Sequence, residues 1–237
     1  MSQPFAIFDI DGTLIRWQLY HAIANTLAKQ GYFAEDEDKH VRQARMTWKN
    51  RTSNEAFKAY EHELIAAYDK MLLSITAKDF SKAADAVFEE YKDQVYTYTR
   101  DLIKDLKSKG YMLLAVSGSQ TEIVEKIANY YGFDDFCGSI YERAGDRFTG
   151  NKEVIAADKR KALEYLMKKH TLDVAGSVAV GDTYSDIPVL ELVERPVAFN
   201  PEVHLYNHAR ANNWEIVVER KNVVYNLRAQ NGQYFLA

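Results

Sequence analysis

Phe5-Ala6-Ile7-Phe8-Asp9-Ile10-Asp11-Gly12-Thr13-Leu14 joins an unbroken apolar run to two aspartates one residue apart and a glycine. A short, continuously apolar run closed by a turn residue is the pattern of a strand buried on both faces, as central strands of parallel sheets are. Residues 5 to 8 are therefore expected to form such a strand, with Asp9 and Asp11 at its C-terminal edge, where open parallel sheets hold their ligands. Carboxylates at i and i+2 followed by glycine suit a loop that holds a divalent cation on oxygen ligands and leaves one acid for other work.

Beyond this loop the chain changes character. Residues 17 to 95 are rich in helix formers and aromatics, contain no proline and only Gly31, and so predict a run of helices. Between Lys78 and Lys92, the residues Phe80, Ala83, Ala84, Val87, Phe88 and Tyr91 recur at the spacing of one helix face. Alternation of strands and helices resumes near residue 100. The pattern predicts a helix over 100–109 stopped by Gly110, a strand over 111–116, and a turn over 117–122 that leads into a helix ended by Gly132. Next come a short strand over 136–141, a polar hairpin connection over 142–150, a helix over 159–170 and a strand over 177–180. The loop Gly181-Asp182-Thr183-Tyr184-Ser185-Asp186 then enters another helix, and late strands over 196–199 and 215–218 are expected at the sheet edge. Such alternation implies an α/β fold, a Rossmann-like parallel sheet with helices on both faces. Residues 1–16 and 96–237 would form this core, and 17–95 an all-α inserted domain.

The bulk properties narrow the function classes. The 237 residues are 47% apolar and 27% charged, which fits neither a disordered nor a fibrous chain. A formal net charge of -4 gives no basic field for non-specific nucleic-acid binding, so no nucleic-acid partner is expected. The single Cys137 excludes an intrachain disulfide and a thiolate zinc cluster and agrees with a reducing compartment. Met1-Ser2-Gln3-Pro4-Phe5 lacks the flank and apolar core of a signal peptide, and no apolar run is long enough to span a bilayer. A cytoplasmic protein without a membrane or obligatory protein partner is the expectation.

In a parallel sheet the strand ends face one way, so Asp9 and Asp11, Ser117, and Asp182 and Asp186 are expected to converge. Four carboxylates at close range need neutralising, and a divalent cation with a lysine would do it. In order and spacing, Asp9-Ile10-Asp11-Gly12-Thr13, Ser117-Gly118-Ser119, Lys159 and Gly181-Asp182-Thr183-Tyr184-Ser185-Asp186 resemble the four motifs of the haloacid dehalogenase superfamily. The resemblance is closest to its phosphoserine-phosphatase-like branch, whose helical cap lies between the first and second motifs.

That resemblance implies a phosphatase acting on a small phosphorylated metabolite. Asp9 would attack phosphorus to give an aspartyl-phosphate, and Asp11 would protonate the leaving oxygen and then deprotonate the attacking water. Mg2+ would sit on the Asp9 side chain, the Asp11 backbone carbonyl and Asp182, with Asp186 bound directly or through water. Ser117 and Lys159 would hold the remaining phosphate oxygens, aided by backbone N–H groups near Gly12, Thr13 and Gly118. Lys161 is the other candidate for the lysine, but Leu163 and Leu166 follow Lys159 at the expected helical spacing. Halide-displacing members lack an acid at the position of Asp11, because no leaving alkoxide then needs a proton. Phosphoserine-specific members carry a Glu where this chain has Gln18, which separates it from that substrate. A phosphotransferase to an alcohol acceptor, or a non-catalytic phosphate-binding regulator, are the alternative readings.

In the helical stretch, Arg42, Arg45 and Lys49 fall on one face with Arg51 near, and Arg45 is a candidate to pair with a second anionic group of the substrate. Trp17, Trp48 and Tyr60 read as core of that domain, and Cys137 as filler in a strand.

Overall fold

Strand β1 (Phe5–Phe8) has all four side chains buried, as its unbroken apolar run requires. It lies between two parallel neighbours: β2 (Met112–Gln120), with Phe5 opposite Met112, and β5 (Val178–Gly181), with Phe8 opposite Val180. A computed structural model describes residues 3–51, 53, 55–230 and 233–236 of the chain. They divide into two compact units, one of residues 1–18, 90–140 and 154–237, the other of 19–89 and 141–153.

The first unit is the α/β layer structure that the alternation predicts. Among the described residues its strands run in the order β3 (Asp135–Ala144), β2, β1, β5, β6 (Arg195–Phe199), β7 (Glu215–Arg220), β8 (Val223–Gln230), β9 (Gln233–Leu236). The pairs from β3 to β7 are parallel and the last two are antiparallel. Helices α5 (Thr97–Ser108), α6 (Thr121–Tyr131), α7 (Lys159–His170), α8 (Ile187–Leu190) and α9 (Val203–Ala211) connect the parallel strands. Leu163 and Leu166 of α7 turn inward and share one buried cluster with Phe5, Ile7, Leu114, Ala179 and Ile216.

The second unit comprises α1 (Leu19–Lys29), α2 (Glu35–Lys49), α3 (Ala56–Leu72) and most of α4 (Ala77–Tyr91), with a β-hairpin formed by the end of β3 and β4 (Arg147–Glu153). The hairpin groups with this unit, whereas the sequence expectation gave 141–153 to the core. Its buried Phe148 packs edge-on against Phe80 at 5.5 Å, and Lys152 pairs with Asp69 at 2.5 Å, so its one large apolar side chain finds its partners among the helices. The division near 18/19 and 89/90 likewise differs from 16/17 and 95/96, and leaves Trp17 with the α/β unit.

Two further differences concern strands. β2 continues through Gln120 instead of ending at Val116, because Gln120 still pairs with Ser139 across a register shift. β6 and β7 are not at the edge, because β8 and β9 pair onto β7 beyond them. Cys137 is half-buried. No helix among the described residues is long and apolar enough to cross a membrane.

Because Leu163 is wholly buried at the centre of the α7 contact, truncating it leaves a cavity that the sheet cannot close. Leu163→Ala should cost about 2–5 kcal/mol, read as a lower urea midpoint with little change in slope. An unchanged midpoint would remove α7 from the core.

Candidate active site

The C-terminal ends of β1, β2 and β5 lie side by side, so their polar residues meet. Asp9, directly after β1, donates its backbone N–H to Val180 O at 3.0 Å, which fixes it beside the β5 end. Lys159, the first residue of α7, sends its ammonium into the same place. Its Nζ lies 2.6 Å from Asp9 Oδ1 and 2.6 Å from Asp186 Oδ1, and all three side chains are at least 95% buried. Lys161, by contrast, is exposed and pairs with Asp158, whose Oδ1 also caps the helix by accepting the Lys161 N–H.

Asp186 is the bracket of the β5 loop. Its Oδ2 accepts the N–H groups of Asp182 (3.1 Å) and Thr183 (3.0 Å), while Oδ1 faces Lys159. This close approach is possible because residue 181 is glycine: a methyl group there would lie 2.5 Å from Asp186 Cβ. Asp182 is turned the other way, toward the β1 loop, where Thr13 Oγ1 donates to its Oδ1 at 3.3 Å. Gly12 makes room for it. Its φ of 82° lies in the left-handed region, and a methyl group would meet Asp182 Oδ2 at 2.2 Å and the Gln18 amide nitrogen at 3.3 Å.

Asp11 is paired differently from Asp9. Its Oδ2 accepts the Ser117 hydroxyl at 2.5 Å, and Ser117 Oγ in turn accepts the Ser119 N–H at 2.9 Å. Ser119 is thus part of the buried β2 extension and not the cap of α6, whose N-cap is Gln120. The Gly12 N–H is taken by Ile15 O at 2.9 Å and Trp17 O at 3.3 Å, so Gly12 serves through its backbone angle and not as a phosphate donor. Arg45 lies on α2 in the other unit, half-buried, and its neighbour Arg42 is exposed and bound to Asp38 at 2.7 Å.

Sequence reasoning missed two braces. Ser139 is fully buried, donates to Gly118 O at 2.7 Å and accepts the Ile155 N–H at 3.1 Å, which holds the stretch after Ser117. Thr99, also fully buried, donates to Thr13 O at 2.9 Å. Neither carries a local signal, since a lone Ser or Thr in an apolar segment is ordinary; only the pairing of distant segments reveals them.

The electrostatics follow from burial. Removing Asp9 from water raises its carboxyl to about 7; Lys159 opposes this, and the charges of Asp186 and Asp11 add to it. Asp182 is raised for the same reason, burial first and then Asp9 and Asp186. Burial works against the Lys159 ammonium, but Asp186 and Asp9 outweigh it and keep its pKa above the ordinary lysine range. One ammonium thus faces three acids, and carboxylate oxygens of Asp9, Asp182 and Asp186 lie within 4.8 Å of one another. An all-oxygen set with surplus negative charge fits a hard divalent cation such as Mg2+.

Comparison with known proteins agrees with this geometry. Residues 6–191 match the family model of haloacid dehalogenase-like hydrolases. The chain is 26% identical over 221 residues to a Neisseria meningitidis serogroup C protein named histidinol-phosphatase, covering 90% of this chain and 97% of that one. It is 25% identical over 218 residues to the Mycobacterium tuberculosis protein named phosphoserine phosphatase SerB1, covering 89% and 69%. A solved structure described as a phospho-aspartyl intermediate analogue of phosphoserine phosphatase shares the fold, with a TM-score of 0.63 and 21% identity over 94% of this chain and 96% of that one.

The raised Asp9 carboxyl predicts a pH dependence. In the folded protein it keeps its proton above the unfolded value of 3.8, so its stabilising contribution is complete below that value and is lost as pH rises through about 7. With chelator present, the melting temperature should fall between pH 5.5 and 8, and Mg2+ should remove that fall by binding the ionised acids. A melting temperature that is flat or rising over that range in chelator would contradict the assignment.

Proposed function

The chain belongs to the haloacid dehalogenase-like hydrolases, and on that premise we propose that it is a Mg2+-dependent phosphatase that hydrolyses a small phosphomonoester through an aspartyl-phosphate on Asp9. The observation that carries this reading is the buried Lys159 held at 2.6 Å from both Asp9 and Asp186, with Asp182 alongside and Asp11 kept apart on Ser117. The names of the relatives, phosphoserine phosphatase and histidinol-phosphatase, support phosphomonoester hydrolysis and differ in the alcohol released.

Asp9 and Asp182 would hold the ion, with the Asp11 carbonyl as a further oxygen. Asp186, whose two oxygens are already engaged by Lys159 and by loop N–H groups, would act through water. When bound, Mg2+ neutralises charge on the phosphoryl group. Asp9 attacks phosphorus; the bond to the ester oxygen breaks, and Asp11 gives that oxygen its proton, so the alcohol leaves neutral. Asp11, now ionised, takes a proton from water as that water attacks the acyl-phosphate, which returns Asp9 as carboxylate and releases inorganic phosphate. Ser117 orients Asp11 and shares the phosphate oxygens with Lys159 and with N–H groups around Thr13 and Gly118. The neutral Gln18 amide, which lies against Gly12, offers no charge to grip an ammonium group on the substrate.

The test is hydrolysis of p-nitrophenyl phosphate and of a panel of phosphorylated metabolites with Mg2+ or with chelator. Chelator and Asp9→Asn should each abolish turnover, and Asp11→Asn should lower kcat by about 10²- to 10⁴-fold, the usual worth of a general acid–base group. Turnover that survives Asp9→Asn would refute the proposal.

A further inference from the structure

Ser117 and Lys159, the two side chains proposed for the phosphate oxygens, stand on separate elements, β2 and α7. A third residue links those elements. β2 and β3 pair regularly up to Val116 and Cys137 and again at Gln120 and Ser139, so Ser117, Gly118 and Ser119 stand against Gly138 alone. Such a bulge interrupts the ladder, re-aims a side chain and leaves backbone groups to find other partners.

Ser139 is that partner. Its hydroxyl, on a residue 0% exposed, donates to Gly118 O at 2.7 Å in the middle of the bulge and accepts the Ile155 N–H at 3.1 Å. Ile155 opens a single 3₁₀ turn, Ile155–Ala157, which is stiffened by the Ala157 N–H on Val154 O at 3.1 Å and the Asp158 N–H on Ile155 O at 3.0 Å. Asp158 then caps α7, and Lys159 is the first residue of that helix. The turn lies directly on the bulge, since a methyl group at Gly118 would come within 2.9 Å of Ala156 Cβ. One hydroxyl therefore joins the carbonyl next to Ser117 to the turn that delivers Lys159.

We propose that Ser139 is a positioning residue of the phosphatase site, holding Ser117 and Lys159 at the spacing that grips one phosphoryl group between them. The inference rests on the phosphatase reading, in which those two side chains bind the phosphate oxygens. Truncating a buried serine with no such duty would cost stability alone, and phosphate would bind as before. Truncating one that sets the spacing weakens phosphate binding, and does so only while both gripping groups are present, because with one gone there is no spacing to keep.

The test is a calorimetric titration of inorganic phosphate into the full chain with Mg2+, below the melting temperature of every variant, with p-nitrophenyl phosphate turnover followed alongside. Ser139→Ala should raise the phosphate Kd about tenfold, as weakening of a hydrogen bond to a charged group does, and lower kcat about 10- to 100-fold. Ser139→Thr, which keeps the hydroxyl, should recover most of both. In the Ser117→Ala background, adding Ser139→Ala should change the Kd by no more than about twofold. If Ser139→Ala does not fold, Ser139→Cys, with its weaker donor, takes its place in the same cycle. An unchanged Kd on truncation, equal losses with and without the Ser117 hydroxyl, or a chain that binds no phosphate would each overturn the proposal. A chain that binds phosphate with this coupling but hydrolyses no ester would sink the phosphatase reading and leave the positioning role standing, so the two failures are told apart.

Discussion

The Lys159 ammonium, clamped at 2.6 Å between Asp9 and Asp186 inside the protein, is the interaction on which the rest of the site depends. Buried charges survive only when they are paired and hydrogen-bonded, and here one cation serves three acids. Backbone and hydroxyl donors relieve part of the remaining charge. Asp186 spends its second oxygen on the Asp182 and Thr183 N–H groups, and Asp182 takes the Thr13 hydroxyl. What is left over is negative charge directed at one place, which is what a divalent cation and a phosphoryl group together require.

The same constraint divides labour between acids that look equivalent in sequence. Asp9 and Asp11 are both nearly buried, at 6% and 7% exposure, yet they face different partners. Asp9 shares a lysine with Asp186, which suits the nucleophile's role proposed for it. Asp11 faces a hydroxyl, Ser117, which can follow it between protonated and ionised states without placing a fixed charge beside it. Gly12 lets Asp182 of the β5 loop approach the β1 loop, and Gly181 lets Asp186 fold back against its own loop, both at distances that a side chain would forbid.

Much of this was legible in the chain because its signals are local. The apolar run at Phe5–Phe8, the periodicity of Lys159–His170 and the loop at Gly181-Asp182 each announce their element without reference to anything else. The convergence of strand ends then follows from parallel topology. The parts that escaped are those decided by distant partners. The β3–β4 hairpin reads as a polar connection until Phe148 is seen against Phe80, and β8 and β9 lack a clean alternation because both faces are partly exposed. Ser139 and Thr99 are invisible for the same reason, and so is the capture of the Gly12 N–H by Ile15 and Trp17.

If Asp9 is the group that this charge arrangement serves, the phosphoryl group must rest on it during turnover. Acid quenching of the enzyme in the steady state with a phosphorus-labelled substrate tests this most directly. Label should remain covalently on the peptide that contains Asp9, be released by hydroxylamine as an acyl phosphate is, and be absent from Asp9→Asn. Turnover with no protein-bound label, or label on any other residue, would contradict the account.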